Sequence, residues 1–217
     1  MTIPQNIQAG IFDLDGLLID SERFWDQADS VLLQKRGFMP TEELFLKRLG
    51  TGHMPTMQIY KDEFGIEETV ESLGADRLII FYDILWKDLQ MMEGARELIE
   101  QLRKKNIALA IATGGHTQEN LATILRKLNI SSHFSSLVTS AEVGRQKPFP
   151  DIFLKAAKGL EIDPKDCLVF EDAPSGVKAA KAAGMMAIGV NKKPAAQKEL
   201  QEAGADEVLT SLTEVTV

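Results

Sequence analysis

The chain has 217 residues, 44% of them hydrophobic, enough for one large α/β domain or for a core with a smaller insert, and enough to bury a core that folds alone. A net charge of −8 argues against nucleic acid or an anionic membrane as the main partner, so any anionic substrate must be held by local cations. The single cysteine, Cys167, excludes an internal disulfide; with no run approaching a membrane span and no basic-then-apolar leader in residues 1–8, a cytoplasmic protein is expected, and a monomer.

In chain order, residues 7–12 form an apolar run that reads as a buried strand and stops at Asp13-Leu14-Asp15-Gly16. Residues 20–91 then show helical periodicity, as in Phe24, Ala28, Val31 and Leu32, without a strand pattern. Turn signals at Gly37-Phe38-Met39-Pro40, Gly50-Thr51-Gly52 and Phe64-Gly65 divide this stretch into about four helices. From Met92 onward helix-like and strand-like stretches alternate: helix 93–105, strand 107–112, helix 118–128 and short strand 137–139. Helix 152–160, strand 167–170, helix 177–183 ended by Gly184, strand 186–190 and a short strand 207–209 continue the series. Such alternation predicts a parallel sheet with right-handed crossovers. Residues 1–19 and 92–217 would form this α/β core, and residues 20–91 an inserted helical domain placed to cover the end of the first strand as a lid. Cys167 lies in one of the predicted strands, where it reads as a small core residue.

In an open α/β sheet, ligands bind at the carboxyl ends of the strands, and there this chain concentrates its chemistry. Asp13 and Asp15 follow the first strand, and Gly16 lets the backbone turn so that both acids can face one group. A solvated turn would use the same letters. A second acidic pair, Glu171-Asp172, follows Cys167-Leu168-Val169-Phe170. Between them lie Thr113-Gly114-Gly115 after a strand and Lys147 before Pro148. Taken in order these offer a candidate nucleophile with an acid/base partner, a phosphate-sized anion site, a cation and candidate metal ligands, a succession more specific than any one piece. In isolation Lys147 would read as a solvated loop lysine, and Thr113 as a helix N-cap before Gln118. Other chemistries are excluded. Gly50-Thr51-Gly52 lacks the third glycine of a dinucleotide fingerprint, His116 and His133 stand apart from cysteines and from each other at ligand spacing, and there is no Gly-x-Ser-x-Gly elbow.

Asp13-Leu14-Asp15-Gly16-Leu17-Leu18-Ile19-Asp20-Ser21-Glu22, Thr113-Gly114-Gly115, Lys147-Pro148-Phe149-Pro150-Asp151-Ile152-Phe153 and Val169-Phe170-Glu171-Asp172-Ala173-Pro174-Ser175-Gly176 resemble the four motifs of the haloacid dehalogenase-like superfamily. The helical insert after the first motif is similar to that of its β-phosphoglucomutase-like branch of sugar-phosphate phosphatases and mutases. The resemblance implies a Rossmann-like three-layer core with a parallel sheet, a mobile four-helix cap, Mg²⁺ and a phospho-aspartate intermediate. It implies Asp13 as the nucleophile and Asp15 as the acid that protonates the leaving alkoxide and then the base for water, a role a neighbouring carboxylate favours by raising the pKa. It places Mg²⁺ on Asp13, the backbone carbonyl of Asp15 and Asp172, with Glu171 ligating directly or through water. Lys147 would supply a second positive charge, while Thr113 and the backbone N–H groups of Gly114 and Gly16 would bind the transferring oxygens. Cations are needed: at about 4 Å and an effective dielectric near 20, each carboxylate–phosphate charge pair repels by roughly 4 kcal/mol.

One departure is that Gly144-Arg145-Gln146 precedes Lys147 where the family usually has a glycine directly before the lysine, so Arg145 is either an extra phosphate contact or a surface residue. In the cap, Trp25 and His53 stand where the branch's mutases carry a histidine and an arginine; each is either a substrate contact or local packing. An isomerising mutase needs a cap cation to grip a second phosphate, which tryptophan cannot supply and histidine supplies only in part at pH 7. The expectation is therefore a Mg²⁺-dependent phosphatase for a small phosphorylated sugar, polyol or similar metabolite. A phosphohexose mutase is the alternative, and a phospho-aspartate signalling protein a more distant one.

Overall fold

This computed structural model describes residues 1–48 and 51–217, and the chain divides into two compact units, residues 1–20 with 90–217, and residues 21–89. Gly50, part of a predicted loop, lies outside the described residues.

In chain order the first unit opens with β1 (Ala9–Phe12), after which the chain enters the second unit. There it forms α1 (Glu22–Gln34), α2 (Glu42–Arg48), α3 (His53–Phe64) and α4 (Val70–Asp88). Back in the first unit come α5 (Ala95–Lys104), β2 (Ala108–Thr113), α6 (Gln118–Lys127), β3 (Ser136–Thr139) and α7 (Asp151–Leu160). The chain continues through β4 (Cys167–Glu171), α8 (Pro174–Ala182), β5 (Met186–Val190), α9 (Pro194–Glu202) and β6 (Glu207–Leu209).

The six strands form one sheet in the order β3-β2-β1-β4-β5-β6, every neighbouring pair parallel, with helices on both faces. Burial on both faces explains why the strands are apolar runs rather than alternating ones; all four residues of β1 are buried. Alternate residues of β1 still serve opposite layers. Ala9 and Ile11 join a core with Ile152, Phe153 and Ala156 of α7 and Val177 and Ala180 of α8. Gly10 lies against Leu102 of α5, where a Cβ would come within 3.5 Å of that leucine. In α5 itself Leu98, Ile99 and Leu102 are buried at the spacing of a helical stripe, each contributing about 1.5–3 kcal/mol of burial.

Two local differences from the sequence expectations have clear causes. The first strand starts at Ala9 rather than at residue 7, because the Ile7 N–H donates to the Pro4 carbonyl at 3.2 Å in a turn. Helix α9 was not anticipated: only Leu200 in it is buried, so it carries no apolar stripe, and Pro194 in its first turn was its one signal.

The second unit is helical throughout its four named elements. Phe24, Ala28, Leu32 and Leu33 of α1 are buried, whereas Val31 is half-buried. The same stripe buries a charge, Asp29, whose carboxylate takes two hydrogen bonds from Arg77 of α4, at 2.6 and 2.9 Å. Arg48 of α2 approaches the same carboxylate to 3.0 Å. Among the described residues no helix is long and apolar enough to cross a membrane.

Candidate active site

The strand order reverses between β1 and β4: the chain runs from β1 outward through β2 and β3, then returns to lay β4 on the other side of β1. Such a switch point leaves a crevice at the carboxyl ends of the strands. The Asp13 N–H donates to the Phe170 carbonyl at 3.1 Å, which carries the β1–β4 pairing one residue further and sets Asp13 beside Glu171 and Asp172. Phe12 stacks on Phe170 beneath, with ring centroids 4.8 Å apart.

After Asp13 the chain turns back on itself. The Leu18 and Ile19 N–H groups both donate to the Leu14 carbonyl, at 2.9 and 3.0 Å. Gly16 has φ +74°, and a Cβ there would lie 2.2 Å from Oδ2 of Asp172, so conformation and space both require glycine. Its N–H donates to the Ile19 carbonyl at 2.9 Å. That bond engages the Gly16 N–H in the turn, and Gly16 supplies the backbone path and the space for Asp172.

Lys147 enters from the loop before α7. Its ammonium donates to Oδ1 of Asp13 at 2.6 Å, to the Ala112 carbonyl at 3.2 Å and to Oε1 of Glu171. The other Glu171 oxygen accepts from the Ala173 N–H at 3.2 Å, and Gly176 at the start of α8 leaves room for that carboxylate, which a Cβ would overlap. Arg145, by contrast, is exposed and paired with Asp151 at 3.0 Å, the surface alternative of the two expected for it.

Ligand atoms of Asp13, Glu171 and Asp172 all lie within 4.8 Å of one another. The cluster is short of positive charge. Burial pushes the Asp13 carboxyl up to about 7 although Lys147 pulls it down, and burial together with the Glu171 and Asp13 charges holds Asp172 well above the usual carboxylate range. Burial works to lower the Lys147 ammonium, yet the Asp13 and Glu171 charges outweigh it and keep the group protonated. Clustered carboxylate oxygens that one lysine does not neutralise are a donor set suited to a hard divalent cation. Both Glu171 oxygens are already engaged, so Asp13 and Asp172 are the better placed to ligate directly.

Thr113 ends β2 beside this cluster. It does not cap the following helix; Thr117 does, its side chain accepting from the Asn120 N–H at 3.2 Å. Instead the Thr113 hydroxyl is 3.4 Å from Oδ2 of Asp15. The Gly114 carbonyl accepts from the Ser140 hydroxyl at 2.8 Å, which steadies the loop. Sequence reasoning missed His116: set aside as a zinc ligand, it is buried with Nε2 3.0 Å from Oδ1 of Asp15. The Asp15 charge and hydrogen bond hold its imidazole above the usual value against the opposing, larger effect of burial. Its signal was position alone, in the loop at the same strand end as Thr113.

Trp25 and His53 belong to the helical unit, with ring centroids 6.1 Å apart. Trp25 stacks on Phe81, with ring centroids 3.7 Å apart, and the Arg77 guanidinium lies 4.5 Å from its ring centre. Arg77 donates to Nδ1 of His53 at 3.2 Å, and a hydrogen bond to the Gly74 backbone engages the ring as well. Burial and the Arg77 charge lower the His53 pKa, so the ring is neutral at pH 7. Both residues thus make packing and hydrogen-bond contacts inside their own unit.

A family model described as haloacid dehalogenase-like hydrolase matches residues 10–190. The chain is 35% identical to (DL)-glycerol-3-phosphatase 2 of Arabidopsis thaliana, over 99% of this chain and 94% of that one. It is 32% identical to the phosphorylated carbohydrates phosphatase of Thermotoga maritima, over 96% of this chain and 100% of that one. A solved structure of a candidate β-phosphoglucomutase from Thermotoga maritima superposes with a TM-score of 0.85 at 31% identity, over 96% of each chain.

Proposed function

Given that the chain belongs to the haloacid dehalogenase-like hydrolases and is a phosphatase among them, we propose that it hydrolyses small sugar or polyol phosphates through a phospho-aspartate on Asp13. The observation that carries this reading is the placement of Lys147 on both Asp13 and Glu171 beside the unneutralised Asp172 carboxyl. A buried carboxylate can approach a phosphate dianion only where positive charge is already in place.

In the first step an Asp13 oxygen bonds to phosphorus while the bond from phosphorus to the substrate oxygen breaks, and Asp15 gives its proton to that departing oxygen. In the second, water attacks the phosphorus of the acyl phosphate, Asp15 takes the proton, and inorganic phosphate leaves with Asp13 restored. Lys147, the Thr113 hydroxyl and the Gly114 N–H hold the phosphoryl oxygens. Asp13, Asp172 and the Asp15 backbone carbonyl would hold Mg²⁺, with Glu171 beside them orienting Lys147. The ion, when bound, supplies the remaining charge neutralisation on the phosphoryl group.

The substrate class follows the two relatives named for glycerol phosphate and for phosphorylated carbohydrates. No cation from Arg48 or Arg77 is open for a second phosphate, since both guanidinium groups are held on Asp29; this favours hydrolysis over isomerisation.

The test is phosphate release from glycerol, hexitol and hexose monophosphates with Mg²⁺ and with a chelator, beside Asp13→Asn. Release that needs Mg²⁺ and vanishes in the variant is expected. Turnover by Asp13→Asn would overturn the nucleophile, undiminished release with chelator would overturn the metal, and turnover only with an added sugar bisphosphate would indicate a mutase.

A further inference from the structure

We propose that His116 is a positioning residue for Asp15, holding its carboxyl from behind at the point where it protonates the departing oxygen. The inference rests on the acid role given to Asp15 above. The His116 side chain is 0% exposed and that of Asp15 is 27% exposed, so Asp15 is the group a substrate can reach and the imidazole stands out of reach. What His116 does to the reaction it must therefore do through Asp15.

Three features around the carboxyl leave it one place. Nε2 of His116 lies 3.0 Å from Oδ1. The Thr113 hydroxyl is 3.4 Å from Oδ2, and a Cβ on Gly115 would come within 2.9 Å of the same oxygen. An aspartate side chain in a turn otherwise samples several rotamers, and only one delivers a proton along a given line. The histidine is itself anchored: Thr117, its neighbour, caps α6 and fixes the backbone there. A ring nitrogen can donate to a carboxylate or accept from a carboxylic acid, so the contact can persist as Asp15 passes from acid to base.

The experiment compares two leaving groups. An alkoxide must be protonated as it departs, whereas 4-nitrophenolate leaves without help, so kcat/KM for 4-nitrophenyl phosphate does not report on the acid. Three variants are measured: His116→Phe and His116→Ala, donor-free at two volumes, and His116→Gln, whose amide can reach the same oxygen. With glycerol 3-phosphate, or the best alkyl phosphate of the panel above, kcat/KM should fall about 30-fold in the donor-free pair, a part of the 10²–10⁴ that general acid catalysis contributes. With 4-nitrophenyl phosphate the same variants should stay within about threefold of the parent, as expected where the acid is dispensable. His116→Gln should recover most of the loss. Equal losses on both substrates, no loss on either, or a glutamine variant as poor as phenylalanine would overturn the proposal. Loss of the fold in both donor-free variants, read by circular dichroism, would make the contact structural and overturn it equally. Failure of the parent protein to release phosphate from any compound would instead remove the phosphatase reading, a result separable from any of these.

Discussion

Each of the two units buries a group of charges, and the groups are built to opposite rules. In the helical unit one carboxylate, Asp29, is met by two guanidinium groups, from Arg77 and Arg48, with Trp25 and His53 packed around Arg77. In the α/β unit Asp13, Glu171 and Asp172 crowd together, and Lys147 pairs with only the first two. The first group answers its own charge. The second leaves negative charge unanswered, and the cost appears as carboxyls that hold their protons far above the usual range. Buried charge that is satisfied internally holds a structure in register; buried charge left unsatisfied is a place prepared for something that arrives later.

The comparison breaks most sharply at Lys147. Lys147→Met should lower kcat/KM by about 10²–10³, the usual scale for losing one preorganised charge donor, in phosphate-release assays at saturating Mg²⁺. A loss below about tenfold would mean that the lysine only neutralises its neighbours. Next in size is Asp29→Leu, which leaves Arg77 and Arg48 without their carboxylate and should cost about 3–5 kcal/mol of the helical unit's stability. Trp25 and Trp86 both lie in that unit, so tryptophan fluorescence during urea unfolding reads it directly. An unchanged midpoint would show that the pairing contributes nothing net.

Asp172→Asn should act with the opposite sign. Removing a carboxyl that resists ionisation should raise the melting temperature of the metal-free protein by a few degrees, the shift expected for about 1 kcal/mol, and abolish the further rise on adding Mg²⁺. A retained Mg²⁺ response would remove Asp172 from the ligand set. The smallest effect is on pH. Because Asp13 titrates near 7 when folded and near 3.8 as a free side chain, the folded chain binds the extra proton between those values. Metal-free stability should therefore fall as pH rises through 7, while Mg²⁺ held by the proposed ligands would compete with the Asp13 proton and should stabilise more at pH 8 than at pH 6. Calorimetry with and without the ion checks both directions.

What the residues alone determined is the part of this protein ruled by local rules. Apolar runs too short for anything but buried strands, helices with a stripe such as Leu98, Ile99 and Leu102, and glycines at turns marked out the alternating core and the helical insert. The four motifs carried Asp13, Asp15, Thr113, Glu171 and Asp172 because each sits at or just past a strand end, and parallel strands put such ends together, while Lys147 reaches them from the loop before α7. Helix α9 stayed hidden because Leu200 alone is buried in it and no periodicity arises from one residue. The rest needed the folded chain. That the Gly16 N–H is used by Ile19, that Thr117 rather than Thr113 caps α6, and that His116 rests on Asp15 are choices among equally available partners. Asp29 gave no sign in α1 that it would be buried, since its partners come from Arg77, 48 residues away, and from Arg48. A hydrogen bond's partner is set by distance in space, and for contacts this far apart along the chain only packing brings the two ends within reach.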